Sequence, residues 1–249
     1  MNFKTKGEIQ RTIDRTRFYI GSIVEMAIGE GLLEKRIHEG MVKPSSTVAA
    51  RTKRIVSIQD YVKAWLLLDE RERLIWDLIM FIGLRKCEVF ALQRKHVESK
   101  TIRVEQGLYL GKIAGPKTYG SRYSVGLIPS VRERLDSYMG SLVDVSPDAW
   151  LFPSATLRAP MDPNNLRTDF ITPKLKEANL NWISFQILRR SHTTHNQEIG
   201  ADPATMAKQQ GYGIGVHAEV YYQPDADTLI RESSRLYERF ENEREQILE

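Results

Sequence analysis

FQILRRSHTTHNQEIGADPATMAKQQGYGIGVHAEVYYQ, residues 185–223, decides how the rest of the chain is read. It opens as an amphipathic helix carrying Arg189 and Arg190 and breaks at Gly200-Ala201-Asp202-Pro203. A short helix follows, then the glycine-rich QQGYGIG turn (209–215), then the pair Tyr221-Tyr222. Two arginines, a turn rich in backbone N–H donors and a tyrosine suit chemistry on a phosphodiester. Gln186 and Arg189 stand at i,i+3 and so project from one helix face. His192 and His195 share that spacing, but no cysteine or carboxylate is read at ligand spacing in the sequence, so a metal pair is disfavoured and at least one is expected to pack or lie on the surface. QQGYGIG has the wrong spacing for a dinucleotide loop and no strand before it.

Outward from this stretch, three other segments carry chemistry. GLRKCEVFAL (83–92) places Arg85 after a glycine at the start of a helix expected over 85–92. Glu88, at i+3, lies on the face of Arg85, either to orient its guanidinium or as a plain surface pair. GPKTYGSRYSVGLIP (115–129) puts Lys117 and Arg122 around a Gly-Ser turn between two expected strands. GLYLGK (107–112) fails as a P-loop, because a residue is missing and Ile113 replaces Ser/Thr. Neither an HExxH zinc motif nor a GxSxG elbow occurs, so no metal and no cofactor is expected.

The 249 residues suffice for a large core, and their composition is that of an ordinary globular protein. No apolar run of about 18 residues and no signal-like N-terminus occurs, which points to a cytoplasmic protein away from membranes. The single cysteine, Cys87, rules out an internal disulfide framework and fits a reducing compartment. Residues 225–249 hold four arginines against eight acidic groups, a net −4, so the total of +4 leaves +8 on residues 1–224. A basic body of this kind suits a polyanion partner.

Periodicity predicts a helix over 7–33 with Arg11, Arg15 and Arg17 opposite its apolar positions, and a linker at Met41–Ser46. Such a basic face can lie along a phosphate backbone or simply be solvated. After RTKR (51–54), Ser57 is the expected N-cap of a helix through Leu68, followed by a helix over Arg71–Phe81. TIRVE (101–105), GLYLG (107–111) and RYSVGLI (122–128) predict a small antiparallel sheet. Helices return at 131–142, 165–178 and 226–248, with a short strand expected at 149–152. The fold class is α+β and mostly helical, with residues 1–46 as one unit and 47–249 as the other.

Together these motifs resemble the catalytic domain of the tyrosine recombinases, the phage integrase family. GLRKCEVFAL is similar to the first arginine motif (Arg85), GPKTYGSRYSVGLIP to the hairpin lysine motif (Lys117), and LRRSHTTH to the second arginine motif (Arg189). Tyr221 follows Tyr212 by nine residues, the family's spacing from the second histidine position to the nucleophile. SIVEMAIGEGLLEK (22–35) is similar to the closing helix of the core-binding domain, which makes residues 1–46 a remnant of that domain.

The resemblance implies a recombinase or integrase of a mobile element that cuts and rejoins double-stranded DNA through a 3′-phosphotyrosyl link. It implies Tyr221 as nucleophile, Arg85 and Arg189 on the phosphate and Lys117 as proton donor, with no metal or nucleotide. Arg122, Arg190, Arg11 and Arg15 would contact DNA, and the helix 226–248 would dock on a second copy or fold back on its own domain. Two positions depart from the pattern. Gln186 stands where the family carries histidine, and Tyr212 stands at its second histidine position. An amide cannot exchange a proton near neutral pH, so reduced or lost activity is the alternative. His217, four residues before Tyr221, is either a substitute proton acceptor or a solvated side chain.

Overall fold

The computed structural model describes residues 6–37, 54–115, 122–211 and 226–248. The chain divides into two compact units, Met1–Lys53 and Arg54–Glu249. The expected linker at Met41–Ser46 and the 46/47 boundary lie outside the described residues.

In the first unit, helix α1 (Lys6–Gly29) ends before Gly31, whose φ of 73° lets the chain turn. The Leu32 and Leu33 amides then donate to the Ala27 carbonyl, and Arg36 pairs with Glu25 at 2.8 Å. Arg15 is exposed on α1. The side chain of Arg11 is outside the description.

The second unit begins with α2 (Ile58–Leu66), capped as expected by Ser57, whose hydroxyl accepts from the Asp60 amide at 3.0 Å. Helix α3 (Glu70–Met80) opens with a capping box between Asp69 and Glu72, two reciprocal bonds that satisfy otherwise orphaned amides. The helix expected over 85–92 is a single turn, α4 (Lys86–Val89). It stops early because the Leu92 carbonyl is taken by the Leu151 amide and Gln93 bridges Trp150, which draws the chain out into extended backbone. For the same reason 149–152 forms only that bridge and no strand.

Four short strands follow: β1 (Thr101–Val104), β2 (Gly107–Tyr109), β3 (Lys112–Ala114) and β4 (Tyr123–Gly126). They make two antiparallel ladders, β1 with β4 and β2 with β3. Strand β3 was not expected: GLYLG was read as one strand over 107–111, whereas β2 ends at Tyr109 and the chain turns back. Leu110 and Gly111, both at positive φ, make the two-residue turn of a tight hairpin there. The strands flanking Lys117 therefore pair with other partners rather than with each other. Residues 116–121 themselves lie outside the described set.

Helix α5 (Pro129–Ser141) precedes a composite helix of α6 (Pro163–Asn165), a π-helical turn (Leu166–Ile171) and α7 (Thr172–Lys176). Helices α8 (Phe185–Glu198), α9 (Pro203–Gln209) and α10 (Ala226–Leu248) complete the unit.

Its core is aromatic, built on Tyr61, Trp76, Phe81, Phe90, Phe152 and Phe240. The last of these comes from α10. Leu236 and Phe240 are fully buried, and Phe240 meets Tyr61, Trp65 and Phe81 edge-on or tilted at ring distances of 5.3–5.6 Å. The C-terminal helix thus folds back on its own domain, one of the two expected alternatives. Beneath it Asp77 is wholly buried and accepts from Tyr61 Oη (2.9 Å) and Trp65 Nε1 (3.1 Å), with the Arg134 guanidinium at 2.9 Å. Burial raises the Asp77 carboxyl to about 6, against the pull of Arg134 and the two donors.

Candidate functional site

Three chain segments converge at the end of α3. The chain leaves that helix through Gly83, at φ 79°, where a Cβ would lie 2.7 Å from Nε2 of His192. Only glycine fits both the backbone conformation and the space. Two residues on, Arg85 is the N-cap of α4. Glu88 closes that turn: its Oε2 accepts the Arg85 amide at 2.6 Å and its Oε1 accepts the Arg85 guanidinium at 2.7 Å. Glu88 is only 6% exposed, so the pair is no solvated surface bridge. The second hold on Arg85 is the Gly211 carbonyl, 3.2 Å from Nη2.

Arg189 enters from α8, capped by Ser184. Its guanidinium donates to the Gly83 carbonyl and, at 2.6 Å, to the Gln210 carbonyl. The two arginines are thus tied to consecutive carbonyls, Gln210 and Gly211, at the C-terminal end of α9. Such an end carries partial negative charge, so it steadies two cations held side by side. Gln210 is fixed in turn by its side chain, which exchanges hydrogen bonds with Thr193. Gln209, fully buried, pairs with both the amide and the carbonyl of Gly126 and reaches the Ile82 carbonyl.

In front of the arginines lies an open cleft of about 570 Å³. Arg85 and Arg189 line it together with Gln186, one turn earlier on α8. The structure brings these three side chains to one cleft, with Gln186 and Arg189 three residues apart on α8. On the far side stand Asn164 and Arg167, which sequence reading did not single out. Arg167 sits on the π-helical turn, and its Nε is buried without a hydrogen-bond partner. A π-helical turn leaves no mark in hydrophobic periodicity, so nothing in the sequence pointed to it. Three guanidiniums around one cleft suit an anion, and the planar fork of arginine matches phosphate oxygens.

The remaining candidates separate. Arg190 turns away and donates to the Arg54 carbonyl at 2.9 Å. Arg122 is exposed just ahead of β4. His192 is buried, its Nδ1 2.9 Å from the Met80 carbonyl, and burial lowers it to about 4. His195 is buried too, between the Val56 carbonyl (2.7 Å) and Glu198 (3.0 Å). Both are packing histidines. Among the described residues no three His, Cys, Asp or Glu side chains gather as a metal site, and no helix is long and apolar enough to cross a membrane. Lys117, Tyr212, His217 and Tyr221 lie outside the described residues.

Neither the family models nor the curated proteins match this chain. Solved structures do. A Tn1549 transposon integrase in complex with a circular intermediate DNA superimposes with a TM-score of 0.69 at 15% identity, over 91% of this chain and 79% of that one. An integrase from mycobacterium phage Brujita gives 0.54 at 17%, over 95% and 74%. A lambda integrase dimer bound to a COC′ core site gives 0.51 at 16%, over 87% and 78%. Sequence identity this low speaks for architecture alone, and the architecture of this chain is that of the integrases and tyrosine recombinases.

Proposed function

We propose that this chain is a tyrosine recombinase that binds double-stranded DNA and breaks and rejoins its strands, as part of moving DNA between sites. The observation that carries the reading is the convergence of Arg85, Arg189 and Gln186 on one open cleft, both guanidiniums anchored to neighbouring carbonyls. In this reading the arginines hold the two non-bridging oxygens of a scissile phosphate, whose negative charge grows in the transition state.

The oxygen of Tyr221 attacks phosphorus, the bond to the 5′-oxygen breaks, and Lys117 passes a proton to the departing 5′-oxygen. The phenolic proton of Tyr221 passes to solvent or a neighbouring base. The 3′-phosphotyrosyl ester keeps the energy of the broken bond, so a 5′-hydroxyl from another strand can reverse the step. Tyr212, at the family's second histidine position, would act in this reading as a hydroxyl donor to the phosphate.

Gln186 favours a second reading, a DNA-binding relative that does not turn over. It is exposed in the cleft and offers hydrogen bonds to a phosphate oxygen but no exchangeable proton. Incubation with a nicked duplex that traps the cleaved strand separates the two. A covalent protein–DNA adduct formed by the parent and abolished in Tyr221→Phe supports the enzyme. Binding without adduct from either protein assigns the second reading. Self-association of copies on DNA through α10 belongs to the same proposal, and it requires that helix to exchange between cores or to use its polar face.

A further inference from the structure

Arg85 has two holds, the Glu88 carboxylate and the Gly211 carbonyl, and Tyr123 touches both. Its hydroxyl donates to Glu88 Oε2 at 2.9 Å. Its ring lies flat against Gly211: a Cβ built there, where φ is 62°, would fall within the ring. Tyr123 is itself anchored at the start of β4, paired with Val104 of β1. Burial and the neighbouring Glu88 push its phenol well above the ordinary range, against the pull of the arginines, so it remains a donor.

Glu88 Oε2 is also the oxygen that faces the second arginine, 4.0 Å from Nη1 of Arg189. The two already form a long ion pair, and a small swing of the carboxylate would shorten it to a hydrogen-bonded one and offset more of the charge of Arg189. The Tyr123 hydroxyl and the Arg85 amide already occupy this oxygen.

We propose that Tyr123 is a positioning residue of the cleft: its hydroxyl engages the Glu88 oxygen that faces Arg189, so that Glu88 serves Arg85 and Arg189 keeps its charge for the bound phosphate. The inference rests on the cleft being a phosphodiester site.

The test is Tyr123→Phe, which keeps the ring on Gly211 and removes only the donor, compared with the parent in two independent measurements. In a crystal structure of the variant, Glu88 is expected to move into hydrogen-bonding distance of Arg189. With the nicked duplex at saturating concentration, the rate of adduct formation is expected to fall about tenfold, the order lost with one hydrogen bond to a charged group. Melting temperature stays near that of the parent. In a Glu88→Gln background the same change should have little further effect on the rate, since the drawn-in charge is gone.

Glu88 unmoved in the variant crystal overturns the proposal, whatever the rate. So does a parental rate from an active protein whose Glu88 has moved. If the parent forms no adduct while Glu88 still moves onto Arg189, the strand-cutting reading falls and the positioning role stands on the crystal structure.

Discussion

Two regions of the second unit both hold charge away from bulk water, and they do it in opposite ways. Under α10, the buried Asp77 takes two neutral donors on Oδ1 and pairs through Oδ2 with one guanidinium, Tyr61 and Trp65 being the donors. At the cleft, two arginines rest mainly on main-chain carbonyls and share one carboxylate. Neutral carbonyls hold a cation in place without discharging it. The first arrangement satisfies a charge for the sake of the fold; the second leaves charge available to a ligand.

The contrast breaks at different points for different substitutions. The largest effect is expected on the aromatic side. Phe240→Ala removes a fully buried ring, and the cost should be about 3–5 kcal/mol of stability in chemical denaturation. The adduct rate per folded molecule should not change. A lowered rate constant in molecules still folded would show that the two regions are not separable.

On the cleft side, Arg189→Ala should lower adduct formation at saturating DNA by about 10²–10³-fold, the range for losing one preorganised charge-stabilising group. The two carbonyls that Arg189 holds belong to buried residues, so Arg189→Ala should also cost about 1–3 kcal/mol by leaving them unpaired, still less than Phe240→Ala. An Arg189→Ala protein with parental activity would end the reading of the cleft as a catalytic anion site.

The smallest effect concerns pH, and its sign follows from two buried groups. His192, lowered to about 4 from its ordinary 6.5, binds fewer protons folded than unfolded, so its contribution is complete above 6.5 and is lost as pH falls toward 4. Asp77, raised to about 6 from 3.8, binds more protons folded, so between those values acidification favours the fold. The two oppose each other. Asp77→Asn removes the compensating member, and its stability should drop about 1–2 kcal/mol more than that of the parent between pH 7 and pH 5, measured by urea unfolding. An equal drop in both proteins would show that Asp77 does not titrate in that range.

Much of the fold was legible because its signals are local. Ser57 and the apolar spacing of α2 and α3 mark caps and faces without tertiary context. The arginines were legible from their own segments, GLRKCEVFAL for Arg85 and LRRSHTTH for Arg189, even though Gln186 stands where the family carries histidine.

What stayed hidden depends on distant partners. Glu88 reads as an ordinary i+3 acid, and only the packing of Tyr123 and α9 around it makes it a buried hub. Strand β3 was hidden because GLYLG reads as one strand, whereas Leu110 and Gly111 at positive φ turn the chain into a hairpin. The 85–92 helix was overextended because Val89, Phe90, Ala91 and Leu92 are apolar for burial in the core, while the backbone leaves the helix for the Gln93–Trp150 bridge. The histidines at i,i+3 mimic a metal pair in sequence, yet each ring is spent on a different carbonyl.

The neighbouring carbonyls of Gln210 and Gly211 have one more consequence. Because Arg85 and Arg189 are each tethered to one of two adjacent peptide groups, their occupancy and the conformation of that short stretch form one thermodynamic cycle. Whatever free energy an anion gains from the end of α9 being in place, that end gains in equal measure from the anion. Phosphate bound in the cleft would therefore slow amide hydrogen exchange at 210 and 211, and the size of that slowing would measure the coupling from the opposite direction.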